Sequence, residues 1–138
     1  YSRDDTALWI ALQMSQPEMP EEYNFAIVDD ATDALLGGVG ISHISYVNRT
    51  ACIGYWVRTC AERKGIATRA ATLVIGFCFG QLDLMRVEID VQTDNPKSAR
   101  VAEKLGAFRE GILRNKIFVN GKSRDAFCFS LVPDDWKR

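Results

Sequence analysis

The heptapeptide ERKGIAT at residues 62–68 joins an apolar run, IGYWV at 53–57, to a stretch whose apolar residues recur at helical spacing. A strand that turns tightly into a helix leaves several N–H groups unpaired at the helix start. Those groups and the helix dipole favour an anion such as a pyrophosphate. Gly65 lets the turn take positive φ and lets a ligand approach closely. Ile66 and Ala67 follow it, and Ala67 keeps the second approach point small. Thr68 adds a hydroxyl near the first turn, and Arg63 and Lys64 add positive charge at the mouth. The chemistry implied is binding of a phosphate-bearing ligand by main-chain donors. The plainer alternative is a strand-to-helix turn that happens to contain a glycine. No GK[ST] follows, so this is not a P-loop, and GxGxxG is absent.

Those residues need elements to hold them. Ser2 with Asp5 resembles a helix N-cap pattern, which predicts a helix from Asp4 to Met14. Residues 22–30, 35–45 and 51–57 read as three strands, the second with glycines that suggest bending or close backbone approach. From Gly65 to about Leu82, Ala67, Ala70, Ala71, Val74, Phe77 and Cys78 form one helical stripe. MRVEIDVQ (85–92) alternates strictly, so Val87, Ile89 and Val91 share one face and Glu88, Asp90 and Gln92 the other. Asn95-Pro96 is an N-cap with proline in the first turn, and Gly106 is a helix stop. Residues 107–119 and 123–132 are strands joined by Asn120-Gly121, a hairpin turn. The order predicts an α+β fold, a mixed sheet with helices packed on it, in one domain covering 1–138.

Composition sets limits. The chain has 138 residues, 47% hydrophobic and 25% charged, with a net charge of −1. That balance suits one core and gives no bulk electrostatic reason to expect nucleic acid or an anionic membrane. No apolar stretch is long enough to span a bilayer, and nothing at the start looks like a signal peptide. Cys52, Cys60, Cys78 and Cys128 lack CxxC spacing, and the single His43 completes no common zinc set, so no metal is expected. They read as free thiols of a reducing cytoplasm, with Cys60, in the polar segment RTCAER, the candidate reactive one.

Taken in order, GYWV, RKGIAT, an amphipathic helix, RVEIDV, DNPKSARVAEKLGAFREGILR and FVNGKSRDAFCFSL resemble the GNAT superfamily of acyl-CoA N-acyltransferases. They resemble most its RimJ/RimL-type, ribosomal-protein acetyltransferase branch, over roughly residues 22–136. The resemblance implies acetyl-CoA as co-substrate and a primary amine, on a protein N-terminus or a small molecule, as acceptor. It implies that residues 62–67 wrap the pyrophosphate. The strand segment Tyr55, Trp56, Val57 and Arg58 would lie along the pantetheine arm where two strands splay apart, with an N–H near Val57 polarising the thioester carbonyl. Asn95 would hold the pantetheine region, and Ser98 would protonate the leaving thiolate. Glu88, with Asp90 on the same face, is then the candidate base. Phe118 and Phe127 could border the acceptor site or fill the core.

The sequence departs from the family at several points. Glu62 stands where the loop usually starts with Gln or Arg. Ala102 stands where many members carry a general-acid Tyr. Two family Glu positions fall at Ile117 and Cys52. An N-terminal strand and helix of the family have no counterpart here, which would leave an edge strand open to dimerisation. These departures keep a second reading open, a catalytically silent acyl-CoA-binding module, and a third, an interaction domain without ligand.

Overall fold

Alternation along the strands decides which face of the sheet is buried. The computed structural model describes residues 6–7 and 19–136. The strands are β1 (Thr6–Ala7), β2 (Tyr23–Asp29), β3 (Leu35–Ser45), β4 (Thr50–Val57), β5 (Arg86–Gln92), β6 (Phe108–Val119) and β7 (Lys122–Leu131). Helix α1 (Ile66–Gly80) follows β4, and helix α2 (Pro96–Lys104) follows β5. The seven strands form one sheet in the order β1-β2-β3-β4-β5-β7-β6. Every pairing between these strands is antiparallel except β4 with β5.

One face of this sheet is apolar. Tyr23, Phe25, Ile27, Val39, Ile41, Ala51 and Ile53 are buried on it, and Val87, Ile89, Val91, Phe129 and Leu131 continue it. Both helices join this cluster: α1 through Ile66, Ala70, Ala71, Val74, Ile75 and Cys78, α2 through Ala102 and, just past its end, Leu105. Phe77 packs edge-on against Tyr23 and Phe25, at 5.3 and 6.0 Å between ring centroids. The helical stripe is therefore rotated from the expected one. Ala67 and Phe77 are only partly buried, and Ile75, absent from the expected set, is fully buried.

The glycines of β3 meet the expectation of close approach. A Cβ on Gly38 would stand 2.6 Å from Trp56 Nε1, so the indole lies directly over that backbone. Asn120 and Gly121 both have positive φ, as the two-residue hairpin turn demands.

The expected helix from Asp4 to Met14 is corrected at Thr6 and Ala7. These residues pair antiparallel with Asp29 and Val28 on the outer edge of β2, because ladder partners available there outweigh a local capping pattern. The rest of that stretch lies outside the described residues.

Candidate active site

β4 and β5 run side by side for three residue pairs only, Thr50 with Arg86, Ala51 with Val87 and Cys52 with Glu88. Beyond them β4 pairs only with β3, and β5 only with β7, so a gap opens between the two strands. Ladder geometry shows what lines it. Arg58 N–H donates to Leu36 O at 2.8 Å, which makes Val57 and Gly37 a non-hydrogen-bonded pair. The peptide groups of Val57 and, two residues back, Tyr55 therefore point away from β3 into the gap. Thr93 N–H donates to Asp125 O at 3.1 Å, and the same reasoning turns the peptides of Gln92 and Asp90 into the gap from the other side. An extended, amide-bearing ligand would find strand-like partners there.

The turn ahead of α1 sits where β4 ends. Arg63 and Gly65 take left-handed conformations, with φ of 65° and 72°. Gly65 is the N-cap and offers no side chain, and no side chain caps the first turn. The N–H groups of Ile66, Ala67 and Thr68 thus lack the acceptor that a Ser or Asp cap would supply. A Cβ at Gly65 would meet nothing within 4 Å, so the residue is required by conformation and the space above it is open. Beside it is a depression of about 290 Å³ lined by Lys64, Gly65, Thr68, Arg69 and Lys104. The carboxylate of Glu62 is turned aside into an ion pair with Lys97 at 3.0 Å, which ties the turn to the start of α2. Bare helix amides ringed by basic side chains fit a diphosphate.

Asn95 caps α2, its Oδ1 accepting the Ser98 N–H at 3.2 Å. The Tyr55 hydroxyl donates to the Ser98 carbonyl at 3.0 Å, so the phenol bridges β4 and α2 across the mouth of the gap. Burial raises its pKa. Tyr55 and Ser98 lie on the helix-covered face. Trp56 points to the other face and is 55% exposed. The Arg58 guanidinium is held at Leu35 O, 3.2 Å away, so its side chain serves β3 rather than the gap.

The second face of β5 carries Glu88 and Asp90. Arg86 pairs with Glu88 at 3.3 Å and also with Glu110. The Cys128 thiol donates to Glu88 Oε1 at 3.3 Å. Burial, and then Glu88, push that thiol up to about 12. Asp90 is held less firmly: the Cys128 thiol lies within its reach as well, but no ion pair holds it and its Oδ1 is buried without a hydrogen bond. Burial raises its pKa and so does Glu88, while Lys116, Cys128 and His43 pull the other way. Glu88, Asp90 and Cys128 each place a donor atom within 4.8 Å of the others, but three donors, one already held by Arg86, fall short of a four-ligand structural set.

The sequence-derived residues thus fall into two groups. Residues 55, 57, 63–68, 95 and 98 surround the gap and the uncapped helix start. Glu88 and Asp90 lie on the opposite face at the same gap. Phe118 is 76% exposed on β6, and Phe127 lies half-buried under the Arg109 guanidinium. His43 sits at the β3 irregularity with positive φ, 3.1 Å from Ser42 Oγ. Ala102 is packed in the core. Lys104 and the Tyr55–Ser98 bridge escaped the sequence, because nothing local to either residue signals a partner so far along the chain.

Comparison with known proteins agrees with this geometry. Residues 1–107 match the acetyltransferase (GNAT) domain family. The chain is 38% identical over 104 residues to YdaF of Bacillus subtilis (strain 168), which is named as a ribosomal N-acetyltransferase; the match covers 75% of this chain and 57% of that protein. It is 33% identical over 105 residues to the spermidine N(1)-acetyltransferase of Escherichia coli (strain K12), covering 76% and 55%. The solved ribosomal-protein-S5-alanine acetyltransferase from Vibrio fischeri superimposes with a TM-score of 0.79 at 29% identity, covering 86% of this chain and 65% of that one. The chain therefore spans a little over half the length of the two sequence relatives. With the splayed parallel pair and the uncapped helix start both in place, the chain belongs to the GNAT acetyltransferase domain family, in its RimJ/RimL-type branch.

Proposed function

We propose that this chain, a single domain over 1–138, is an N-acetyltransferase that moves an acetyl group from acetyl-CoA to a primary amine. The observation that carries the reading is the continuity between the β4/β5 gap and the uncapped start of α1. One binds an amide-bearing arm along a strand edge, and the other binds a diphosphate. Acetyl-CoA supplies the thioester when bound. The chain's own groups position it: the first-turn amides of α1 with Lys64 and Arg69 at the diphosphate, the Tyr55 and Val57 peptides along the arm, and Asn95 holding the α2 end. The Val57 N–H polarises the carbonyl. Ser98, beside Tyr55 on the helix-covered face, gives a proton to the departing sulfur. The amine approaches on the face that carries Glu88 and Asp90, and its nitrogen bonds to the carbonyl carbon as the carbon–sulfur bond breaks. Holding both reactants at one gap supplies much of the acceleration.

The relatives' names include ribosomal-protein and spermidine acetyltransferases. Both acceptors are cationic amines, which suits the two carboxylates on the approach face. Four free thiols suit a reducing, cytoplasmic setting. Among the described residues no helix is long and apolar enough to cross a membrane.

The test is calorimetric titration of acetyl-CoA, with dephospho-CoA beside it, followed by turnover with spermidine and with a short peptide bearing a free N-terminus. Saturable binding with a raised melting temperature and turnover of either amine is expected. Binding without turnover would return the silent acyl-CoA-binding module. No heat and no thermal shift would overturn the reading.

A further inference from the structure

Two carboxylates share the approach face, and the structure treats them differently. Glu88 belongs to the last residue pair of the β4/β5 ladder. Both its oxygens are engaged, Oε2 by Arg86 Nε at 3.3 Å and Oε1 by the Cys128 thiol at 3.3 Å. Using Glu88 as a base would require release of Arg86, which also holds Glu110. Asp90 is the next side chain on that face, the first beyond the end of the ladder, and its own peptide points into the gap. Its Oδ1 is buried and without a partner. A buried carboxylate oxygen left without a donor is costly. The residue as a whole is only partly buried, so an ammonium that reaches this carboxylate would supply a donor the protein does not.

We propose that Asp90, rather than Glu88, is the general base that deprotonates the acceptor amine. This rests on the acetyltransferase reading above. The Asp90 carboxylate accepts a proton from the bound ammonium. The neutral amine then forms the carbon–nitrogen bond, the carbon–sulfur bond breaks, and the sulfur takes its proton from Ser98 on the other face. The second proton, lost by the nitrogen as the amide forms, passes through solvent to restore the Ser98 hydroxyl, and Asp90 releases its own proton to solvent when the products leave. Proton removal and proton delivery are thus separated by the sheet, with the thioester between them.

The surroundings of Asp90 suit this role. The groups that face it are Glu88 on its own strand, Cys128 on β7, Lys116 on β6, His43 on β3 and Cys52 on β4. Burial, with Glu88 beside it, outweighs the nearby cations and the Cys128 thiol and raises the carboxyl above its ordinary value. A raised pKa brings the base closer to working pH and strengthens its pull on a proton. The rate should therefore rise with pH through that raised value as Asp90 loses its proton.

The experiment compares the wild-type chain with D90N and E88Q. Acetyl-CoA affinity is measured by calorimetry, kcat/KM for spermidine and the peptide is measured across pH, and the Asp90 carboxyl is titrated by carbon-13 NMR with and without spermidine. D90N should keep acetyl-CoA affinity within about twofold, lose about 100-fold or more in kcat/KM, and lose the acid limb of the pH profile. E88Q should lose less than D90N and keep that limb. In the wild type, saturating spermidine should move the Asp90 titration to lower pH, because a bound ammonium favours the charged carboxylate. D90N with full turnover, or an Asp90 titration indifferent to spermidine, would overturn the proposal. Failure of the wild type to bind acetyl-CoA would instead overturn the parent reading, and the NMR titration would still decide whether Asp90 receives an amine.

Discussion

α2 begins with its own cap. Asn95 Oδ1 accepts the Ser98 N–H, and Pro96 occupies a position where no donor is needed. α1 begins at Gly65 with backbone alone, no capping side chain and no acidic residue in its first turn. The two helices flank the same gap, so their difference is informative. A capped helix start is a finished structural joint. An uncapped one, ringed by Lys64, Arg69 and Lys104, keeps its donors for something that arrives from outside. Reading the caps therefore separates the end that positions from the end that binds.

The comparison can be broken most severely at Gly65. G65V forces a β-branched residue into a left-handed conformation, costing about 1–2 kcal/mol in the turn that presents the amides. Acetyl-CoA affinity should fall by about 100-fold, corresponding to about 2.7 kcal/mol of binding free energy, as read by calorimetry. T68D would sharpen the comparison by giving α1 a carboxylate of its own. The free protein should gain up to about 1 kcal/mol from the helix dipole, while acetyl-CoA affinity falls about tenfold through like-charge repulsion. Opposite signs in melting temperature and affinity are the expected signature. N95A should cost about 1 kcal/mol in chemical denaturation by removing the α2 cap, and N95D should keep most of it. Y55F removes the bridge to Ser98 O and should cost about 0.5 kcal/mol, the low end for a part-buried hydrogen bond and the smallest of the three losses of stability.

Much of this was legible in the sequence wherever one short segment decides the outcome. Gly65 must take positive φ whatever packs around it, Asn95-Pro96 can cap only a helix that starts at that point, and Asn120-Gly121 closes its own hairpin. The alternation of Val87, Ile89 and Val91 fixed the buried face of β5 without help from its neighbours. Pairings between distant segments were not legible. Tyr55 finds Ser98, Glu62 finds Lys97, and Cys128 finds Glu88 only once the sheet has assembled. The choice between Glu88 and Asp90 is of this kind. Strand alternation makes them equivalent, and only Arg86 and the end of the β4 ladder tell them apart. The Asp4–Met14 helix misread a local capping pattern at Thr6 and Ala7, where the edge of β2 offered ladder partners.

The parallel ladder between β4 and β5 is three pairs long, and within the sheet it is the seam that joins an antiparallel half, β1 to β4, to an antiparallel half made of β5, β7 and β6. A ligand lying in the gap would lengthen that seam. The amides of Tyr55, Val57, Asp90 and Gln92 are then local gauges of the seam: they should exchange with solvent deuterium readily in the empty protein and slow down when acetyl-CoA is added. The sheet would thus gain a longer seam from its own substrate, and the protection of these amides should rise together on binding.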